Sequence, residues 1–442
     1  MSFNLIESLQ KRSNNETFIW LCNIGAERFW HNQFKILHDK FDMGVTNAIE
    51  EINLLLCKKQ DTIILRNMPN PEYLKAAEQY GFETPNIICP ENKDENKSIS
   101  ELILQDERIL NILKNVQNES VYFIPYAVTY LEEQIAQICG LALIGSDSET
   151  CRKLNDKIYH RKIAEILRLP MTEGLICTGL DDILPNYLNM ITANNGLPIK
   201  VVLKSPYNCA GKGMYIAESE KQIKSIVSIL KRTEASGEWI LEKWYDKKID
   251  INFQIFISPD GTIDLLSINR QFVNGTVYTG TMYPSGLEQK ILEQLELYSY
   301  EIGQYLFSDG YTGMVGIDSI ITENCVIPII EINARFTLST YLSFLNHHFR
   351  EKYILFQFFD IAPKAPISYR DLYDLVKKVM GSRANVFLFA PTLLPKQEKV
   401  YNDRYRGRIF VLFYENDYES ILNSKDKFKE RVVKRLNEYY GR

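Results

Sequence analysis

The stretch GMVGIDSIITENCVIPIIEINARFT, residues 313–337, decides the fold prediction because it places acidic side chains inside two strongly apolar runs. Asp318 follows the first run directly, and Glu331 stands at the end of the second. Between the runs, Glu323 and Asn324 form a polar break of the kind found in turns. The pattern therefore predicts two neighbouring strands joined as a hairpin.

The acidic and amide side chains of this hairpin are expected on one face. Side chains two positions apart on a strand point the same way, so Glu331, Asn333 and Arg335 share a face, and the hairpin brings Asp318 beside them. Carboxylate and amide oxygens are hard ligands that suit Mg²⁺, whereas burying carboxylates without a cation is costly. Because the flanking runs are too apolar for a solvated face, the pattern favours a metal site.

A second informative segment is VVLKSPYNCAGKGMYI, residues 201–216, where an apolar run ends at Lys204 and a loop with two glycines follows. Glycine lets backbone N–H groups approach a polyphosphate closely, and Lys204 and Lys212 add positive charge. The segment is consistent with a phosphate-binding loop. An ordinary β-hairpin with glycines in its turn explains it equally well.

The third segment, EWILEKWYDKKIDINFQIFI at residues 238–257, contains a strand, a polar connection and an alternating strand. Glu242 and Trp244 stand where the first strand ends, and an acid beside an aromatic ring suits an adenine. Asp250 would then accept hydrogen bonds from ribose hydroxyls. Taken alone, this segment is also typical of a plain hairpin.

The remaining sequence predicts a domain before these segments and an extension after them. Early in the chain, short apolar runs alternate with a helical segment, which indicates a parallel α/β sheet. The runs are 17–24, 62–65 and 86–89, and the helical segment is 72–80. Towards the end of the chain we expect strands at 386–390 and 408–414 and a charged helix near 425–439.

Composition and charge limit the class of protein. The 442 residues include 51 Lys and Arg against 56 Asp and Glu, a net charge of −5 without a basic tract, so nucleic-acid binding is not expected. No apolar run approaches the ~20 residues of a membrane span. The eight cysteines contain no CxxC pair and the first residues lack the apolar core of a signal peptide, so we expect a cytoplasmic protein. Phosphate-loop, GxGxxG, HExxH and GxSxG motifs are absent.

Taken in order, the segments resemble the ATP-grasp superfamily of carboxylate–amine and carboxylate–thiol ligases. The interval from Asp318 to Glu331, followed by Asn333, is similar to the metal-binding pattern of that family. The residues 155–157 (Asn-Asp-Lys), with a helix behind them, resemble the segment that carries the first lysine of the family.

The resemblance implies a fold of class α/β and α+β, with a parallel-sheet α/β domain followed by two α+β lobes that clamp ATP. The first domain would span residues 1–140 and the ATP-grasp domain residues 141–345. Within the latter, the small lobe is expected at about 155–245 and the large lobe at about 246–345. Residues 346–442 would complete the large lobe or form a small domain on the substrate side.

The resemblance also implies roles for individual residues. Those expected to bind the nucleotide are Lys157, Lys204, Gly211, Lys212, Gly213, Glu242, Lys243, Trp244 and Asp250. Those expected to bind metal are Asp318, Glu331 and Asn333, and those expected to act in catalysis are Lys204, Arg270 and Arg335. The family often has Glu at the ribose position held here by Asp250, and Gly316 stands where D-alanine–D-alanine ligases carry an arginine, which argues against that subfamily.

The implied activity is an ATP-dependent ligation. A small carboxylate, expected to be an amino acid, is activated as an acyl phosphate and joined to an amine, in peptide or natural-product biosynthesis. ATP and Mg²⁺ are the expected cofactors, with Mn²⁺ as an alternative metal, and a homodimer is compatible with the resemblance. Two alternatives stay open: transfer to a carrier-protein thiol by the same fold, and a non-catalytic ATP-binding regulator.

Overall fold

Three large β-sheets, one two-stranded sheet and the helices that cover them make up the described part of the computed structural model of the chain. The structure describes residues 4–10, 15–30, 40–116, 118, 120–207, 213–233, 237–346, 348–349, 352–381, 384–389, 399–401 and 404–439. The predicted loop residues Gly211 and Lys212 lie outside these ranges.

The helices are α1 (Leu5–Gln10), α2 (Lys40–Ala48), α3 (Pro71–Gln79), α4 (Ile99–Leu104), α5 (Glu107–Lys114), α6 (Tyr130–Cys139), α7 (Ser148–Leu154), α8 (Lys157–Ile166), α9 (Leu180–Ala193), α10 (Glu220–Arg232), α11 (Gln289–Ser308), α12 (Leu338–Leu345), α13 (Tyr369–Met380), α14 (Tyr418–Phe428) and α15 (Lys434–Tyr439). Short 3₁₀ segments lie at Ala26–Phe29 and Ile49–Leu56, and a π-helical turn lies at Lys429–Val433. None of these helices has both the length and the apolar composition that crossing a membrane requires.

The strands are β1 (Glu16–Leu21), β2 (Thr62–Ile64), β3 (Asn86–Ile88), β4 (Ser120–Pro125), β5 (Ala142–Leu143), β6 (Gly174–Cys177), β7 (Val201–Lys204), β8 (Met214–Ala217), β9 (Trp239–Lys243), β10 (Ile249–Ile257), β11 (Ile263–Asn274), β12 (Val277–Tyr283), β13 (Gly313–Ile321), β14 (Val326–Asn333), β15 (Tyr353–Ile361), β16 (Val386–Phe389), β17 (Lys399–Tyr401), β18 (Arg404–Tyr405) and β19 (Gly407–Glu415).

The first sheet consists of five parallel strands in the order β3-β2-β1-β4-β5. Its central strands are short apolar runs, as a parallel sheet covered by helices requires. Leu21 at the end of β1 lies opposite Pro125 at the end of β4, so the segments that follow these strands emerge at one edge. That edge carries Glu27 and Tyr126 to a cavity shared with the third sheet.

Four antiparallel strands form the second sheet, in the order β6-β9-β7-β8. Helices α9 and α10 pack on each other and on this sheet around the buried side chains of Tyr187, Leu203 and Trp239. Lys204 and Glu242 stand at the ends of neighbouring strands of the sheet. Both charges therefore reach the edge that faces the third sheet.

The third sheet has eight antiparallel strands in the order β14-β13-β10-β11-β12-β15-β19-β16. Strands β13 and β14 are the hairpin that residues 313–337 predict, and Asp318 lies directly opposite Glu331. Ile255 on β10 packs near α11, whereas the adjacent Gln254 accepts a hydrogen bond from Thr340 of α12 on the other face. One face of the sheet is thus apolar, and the other is rich in amide, hydroxyl and carboxyl groups.

The last three strands of this sheet, β15, β19 and β16, come from the C-terminal part of the chain. We propose on this basis that residues 346–442 complete the large lobe instead of forming a separate domain. We place the boundary between the lobes in residues 244–248, because β9 ends at Lys243 and β10 begins at Ile249.

The charged helix expected near 425–439 differs from the observed one. It begins earlier, at Tyr418, because the side chain of Asp417 caps it by accepting from the N–H of Ser420 at 2.8 Å. The helical segment also contains the π-helical turn at Lys429–Val433. The strands expected at 62–65 and 86–89 are present but one residue shorter.

The close approach of β6 and β9 yields a stability prediction at Gly174. A Cβ on this residue would lie 2.4 Å from the carbonyl oxygen of Leu241 and 2.8 Å from Cα of Glu242. We expect Gly174→Ala to lower the free energy of unfolding by roughly 1–3 kcal/mol, the usual cost of overpacking. Urea unfolding measures this loss. Gly179→Ala is the matched control, since a Cβ there meets no atom within 4 Å, and an equal loss in both variants would contradict the account.

Candidate active site

A cleft of about 210 Å³ lies between the second and third sheets and is called the inter-sheet cleft here. Charged side chains from both sheets and from the segment between them line it. They are Lys204, Glu242, Lys243, Lys247, Asp250, Asp318 and Glu331. The structure therefore brings together most of the residues that the sequence predicts to bind a nucleotide or a metal.

Lys204, at the end of β7, is held in this cleft by Glu242. Its Nζ lies 2.6 Å from Oε2 of Glu242, and Nη1 of Arg161 lies 3.0 Å from the other carboxylate oxygen. Burial raises the pKa of Glu242, but Lys204 and Arg161 outweigh burial and hold this pKa below its usual value. Because both oxygens of Glu242 are engaged by cations, this carboxylate orients Lys204 in the cleft, and its role beside an adenine stays a prediction.

The segment after β9 forms one wall of the cleft. Lys243 and Trp244 line it, and their backbone N–H groups donate to the carbonyls of Glu173 and Lys200, each at 2.8 Å. Asp250 also lines the cleft and forms an ion pair with Lys247. The positions predicted for the adenine and the ribose thus lie side by side.

Gly213, the described part of the predicted glycine loop, stands immediately before β8. Its φ of 69° is in the left-handed region that favours glycine, and its carbonyl accepts from the N–H of Ser205 at 3.1 Å. It therefore closes the turn between β7 and β8.

Helix α8 brings a second lysine to Glu331, at the border of the cleft. Asp156 caps the helix by accepting from the N–H of Ile158, and Lys157 at the first helical position places its Nζ 2.8 Å from Oε1 of Glu331. One turn later, Nδ1 of the buried His160 accepts from the N–H of Ile332 at 3.1 Å, and its Nε2 donates to the carbonyl of Leu154. His160 therefore fixes the helix against β14 beside Glu331.

Asp318 and Glu331 face each other across β13 and β14. Burial and the carboxylate of Glu331 raise the pKa of Asp318 to about 6, although Asn252 and Gln271 donate hydrogen bonds to Oδ1 at 2.7 and 3.1 Å. Burial also acts to raise the pKa of Glu331, but Lys157 outweighs it and lowers this pKa below its usual value. The pair is an acidic point next to the ammonium group of Lys157.

This acidic point fits a divalent cation. Two facing carboxylates and the nearby amide of Asn333 form an oxygen donor set of the kind Mg²⁺ prefers, and a cation would relieve the repulsion that raises the pKa of Asp318. In the described part of the chain, no three His, Cys, Asp or Glu side chains converge on one point, so two carboxylates and an amide are the donors. Asn333 directs Nδ2 toward Asp318 and Oδ1 toward Arg335, so it would have to rotate its amide to bind a metal.

A second cavity, of about 280 Å³, lies on the other side of this acidic point and is called the inner cavity here. The first sheet, the polar face of the third sheet and C-terminal strands all line it. Arg335 lies in its wall, where Nη1 donates to the hydroxyl of Tyr126 at 2.6 Å and Nη2 to Oδ1 of Asn333 at 2.8 Å. Asp318 and Glu331 line both cavities and so form the boundary between them.

The structure does not bring Arg270 to this site, contrary to the expectation of a catalytic role. Adjacent residues on a strand point to opposite faces, and the neighbouring Gln271 is the one that bonds Asp318. Arg270 donates instead to the hydroxyl of Tyr418 on α14, at the other face of the third sheet. We leave Arg270 out of the proposed site for this reason.

Several residues of the site were not predicted from the sequence. They are Glu27, Tyr126, Arg161, Asn252 and Gln271. For Arg161 a signal existed, because it follows Lys157 by four positions and so lies on the same face of α8. The amides of Asn252 and Gln271 become visible only once the register of β10, β11 and β13 is known.

Comparison with known proteins assigns this geometry to a family. Residues 180–339 match the family described as the ATP-grasp domain. Residues 180–339 carry an ATP-grasp domain. They include strands β7, β8 and β9 of the second sheet and the strands with the acidic point, and the predicted recognition as an ATP-grasp ligase is confirmed.

Relatives of this ATP-grasp chain include ligases. A [butirosin acyl-carrier protein]–L-glutamate ligase from Niallia circulans is 27% identical over 337 residues, which cover 75% of each chain. The carbamoyl phosphate synthase large chain from Thermoanaerobacter sp. (strain X514) is 27% identical over 155 residues, 35% of this chain and 14% of that protein. The expected assignment to the ATP-dependent ligases is therefore confirmed.

Solved structures show the same ATP-grasp fold. A biotin carboxylase from Campylobacter jejuni, solved as a β-γ-ATP complex, superposes with a TM-score of 0.57 at 13% identity, covering 94% of this chain and 91% of the other. An N5-carboxyaminoimidazole ribonucleotide synthetase, solved with ADP, gives 0.55 at 15% identity, covering 96% and 97%. The predicted fold class is confirmed, since the alignments extend across the parallel sheet and both antiparallel sheets.

The buried His160 predicts a specific pH dependence of stability. Burial lowers its pKa from 6.5 to about 4, so the unfolded chain binds a proton that the native chain does not as the pH falls through this range. We expect this group to remove roughly 3 kcal/mol of unfolding free energy between pH 7 and pH 4, and His160→Gln to lack that component. Chemical unfolding at a series of pH values measures the difference. An unchanged slope in His160→Gln would contradict the assignment.

Proposed function

We propose that the chain is an ATP-dependent ligase that activates a small carboxylate, expected to be an amino acid, as an acyl phosphate in the inner cavity and joins it to an amine. The observation that supports this most strongly is that the inter-sheet cleft and the inner cavity meet at Asp318 and Glu331. A nucleotide in the cleft and a carboxylate in the cavity would therefore have their reacting ends at the same acidic point.

The nucleotide is proposed to occupy the inter-sheet cleft. Lys243 and Trp244 would lie against the adenine, Asp250 near the ribose, and Lys157 and Lys204 along the phosphates. In phosphoryl transfer the protein mainly has to position the phosphates and neutralise their charge. Two lysines held in place by carboxylates can do both. Gly213 would form the described end of the loop over the phosphates, together with Gly211 and Lys212 outside the described residues.

Asp318, Glu331 and a rotated Asn333 are proposed to hold Mg²⁺, with Mn²⁺ as an alternative. A divalent cation at this point would neutralise the phosphate oxygens and align the γ-phosphoryl group with the attacking carboxylate. Arg335, whose guanidinium donates to the hydroxyl of Tyr126 and the carbonyl of Phe336, would stabilise negative charge on the acyl oxygen when the acceptor attacks.

The proposed reaction has two steps, formation of the acyl phosphate and transfer of the acyl group to the acceptor. A carboxylate oxygen bonds to the γ-phosphorus and ADP leaves; the acceptor nitrogen then bonds to the acyl carbon, phosphate leaves and the acceptor loses a proton. No covalent bond to the protein is needed. The residues of the site therefore act by binding and aligning the substrates and by neutralising their charge.

A carrier-protein thiol is the second candidate acceptor. It is supported by the similarity over 75% of the chain to a relative whose name specifies an acyl-carrier protein. Sulfur would take the place of nitrogen in the second step, and the activation step would be the same. A homodimer stays a prediction.

The variant Glu331→Gln tests the proposed activity. Loss of one of two facing carboxylates should lower carboxylate-dependent ADP release by about a hundredfold or more, the effect of removing a key electrostatic contact. A coupled ADP assay with pools of amino acids measures this rate, and thermal unfolding checks that the fold persists. Glu323→Gln is the matched control, since Glu323 lies exposed in the turn between β13 and β14.

Two outcomes would contradict the proposal. Wild-type turnover in Glu331→Gln would exclude the acidic point as the metal site. ATP binding by the wild type without ADP release in the presence of any carboxylate would favour the non-catalytic regulator.

A further inference from the structure

Glu27 places a carboxylate with an unmet hydrogen-bonding need at the inner cavity. It lies on the 3₁₀ segment Ala26–Phe29, directly after Gly25, whose φ of 92° turns the chain toward the third sheet. Its side chain is 13% exposed, and Oε1 lies 3.2 Å from Nε of Arg335. The other oxygen, Oε2, is buried and has no hydrogen-bond partner among the described residues. A buried carboxylate oxygen that finds no donor among the described residues would be stabilised by a donor from an occupant of the cavity.

We propose that Glu27 binds the protonated amino group of the substrate, so that the inner cavity selects amino acids over other carboxylates. This inference rests on the proposed function, which puts the reacting carboxylate at the acidic point beside Arg335. The ion pair of Arg335 and Glu27 presents a positive and a negative group a few ångströms apart. A zwitterionic amino acid carries the opposite pair of charges at a matching separation.

The rest of the cavity supports a cationic donor at this position. Its other acidic side chains, Asp318 and Glu331, belong to the proposed metal site. Its second arginine, Arg408, is already engaged by Asp360, with Nε 2.7 Å from Oδ1. Uncharged polar side chains and apolar ones such as Ile49, Leu338 and Phe410 complete the wall. Among the charged groups of the cavity, Glu27 is therefore the one suited to distinguish an ammonium-bearing acid from a plain one.

The test compares amino acids with the matching acids that lack the amino group. Hydroxylamine replaces the natural acceptor: its nitrogen bonds to the acyl carbon of the acyl phosphate and loses a proton, phosphate leaves, and the hydroxamate is detected as its coloured complex with Fe³⁺. With ATP and Mg²⁺, the wild-type chain should form hydroxamate from at least one amino acid and at least tenfold less from its desamino and N-acetyl analogues. This comparison needs no variant. Equal turnover of an amino acid and its desamino analogue would overturn the inference while leaving the proposed function intact.

Variants of Glu27 give an independent readout. Glu27→Gln should raise KM for the amino acid at least tenfold with a smaller change in kcat and leave the KM for ATP unchanged, whereas Glu27→Asp should recover part of the affinity. An unchanged KM for the amino acid in a folded Glu27→Gln variant would overturn the assignment. If the wild type forms neither hydroxamate nor ADP with any carboxylate, the proposed function fails first and the inference falls with it.

Discussion

The opposition of Asp318 and Glu331 across two buried strands is the constraint on which the rest of this structure depends. Antiparallel pairing places the two carboxylates face to face, and burial makes their repulsion costly. The surrounding residues offset part of this repulsion. Lys157 pairs with Glu331, and the amides of Asn252 and Gln271 donate to Asp318. A cation between the carboxylates would neutralise the remaining repulsion, which supports the proposed metal-binding point.

Helix α8, the second sheet and the first sheet each contribute a side chain to the electrostatics around the acidic point. Helix α8 carries Lys157 and is fixed to β14 by His160. The second sheet carries Lys204, which pairs with Glu242. The segment after a strand of the first sheet carries Tyr126, which accepts a hydrogen bond from Arg335. These units meet around the two cavities that share the acidic point. The site is therefore assembled by the packing of sheets, and a change in one unit alters the electrostatics of the others.

The hairpin and its polar face were predictable because strand periodicity and burial are local properties of the sequence. Which side chains of β11 point to the site was not predictable. Whether Arg270 or Gln271 faces Asp318 depends on the register of β11 against β10, and turns and bulges determine that register. Tyr126 and Glu27 reach the site from the edge of a different sheet, and no periodic pattern records such a contact. The sequence predicts Glu242 at the site because of its place at the end of a strand. Its hydrogen bond from Arg161 was not predictable, because that residue lies on a helix distant in sequence.

Isotope transfer tests most directly the claim that a carboxylate in the inner cavity attacks the γ-phosphoryl group at the acidic point. The substrate carboxylate is labelled with ¹⁸O at both oxygens, and the products are analysed by mass spectrometry after a complete turnover. The account predicts ADP and inorganic phosphate that carries one ¹⁸O from the carboxylate. Label in AMP, or unlabelled phosphate alongside product, would contradict an acyl phosphate formed where the two cavities meet.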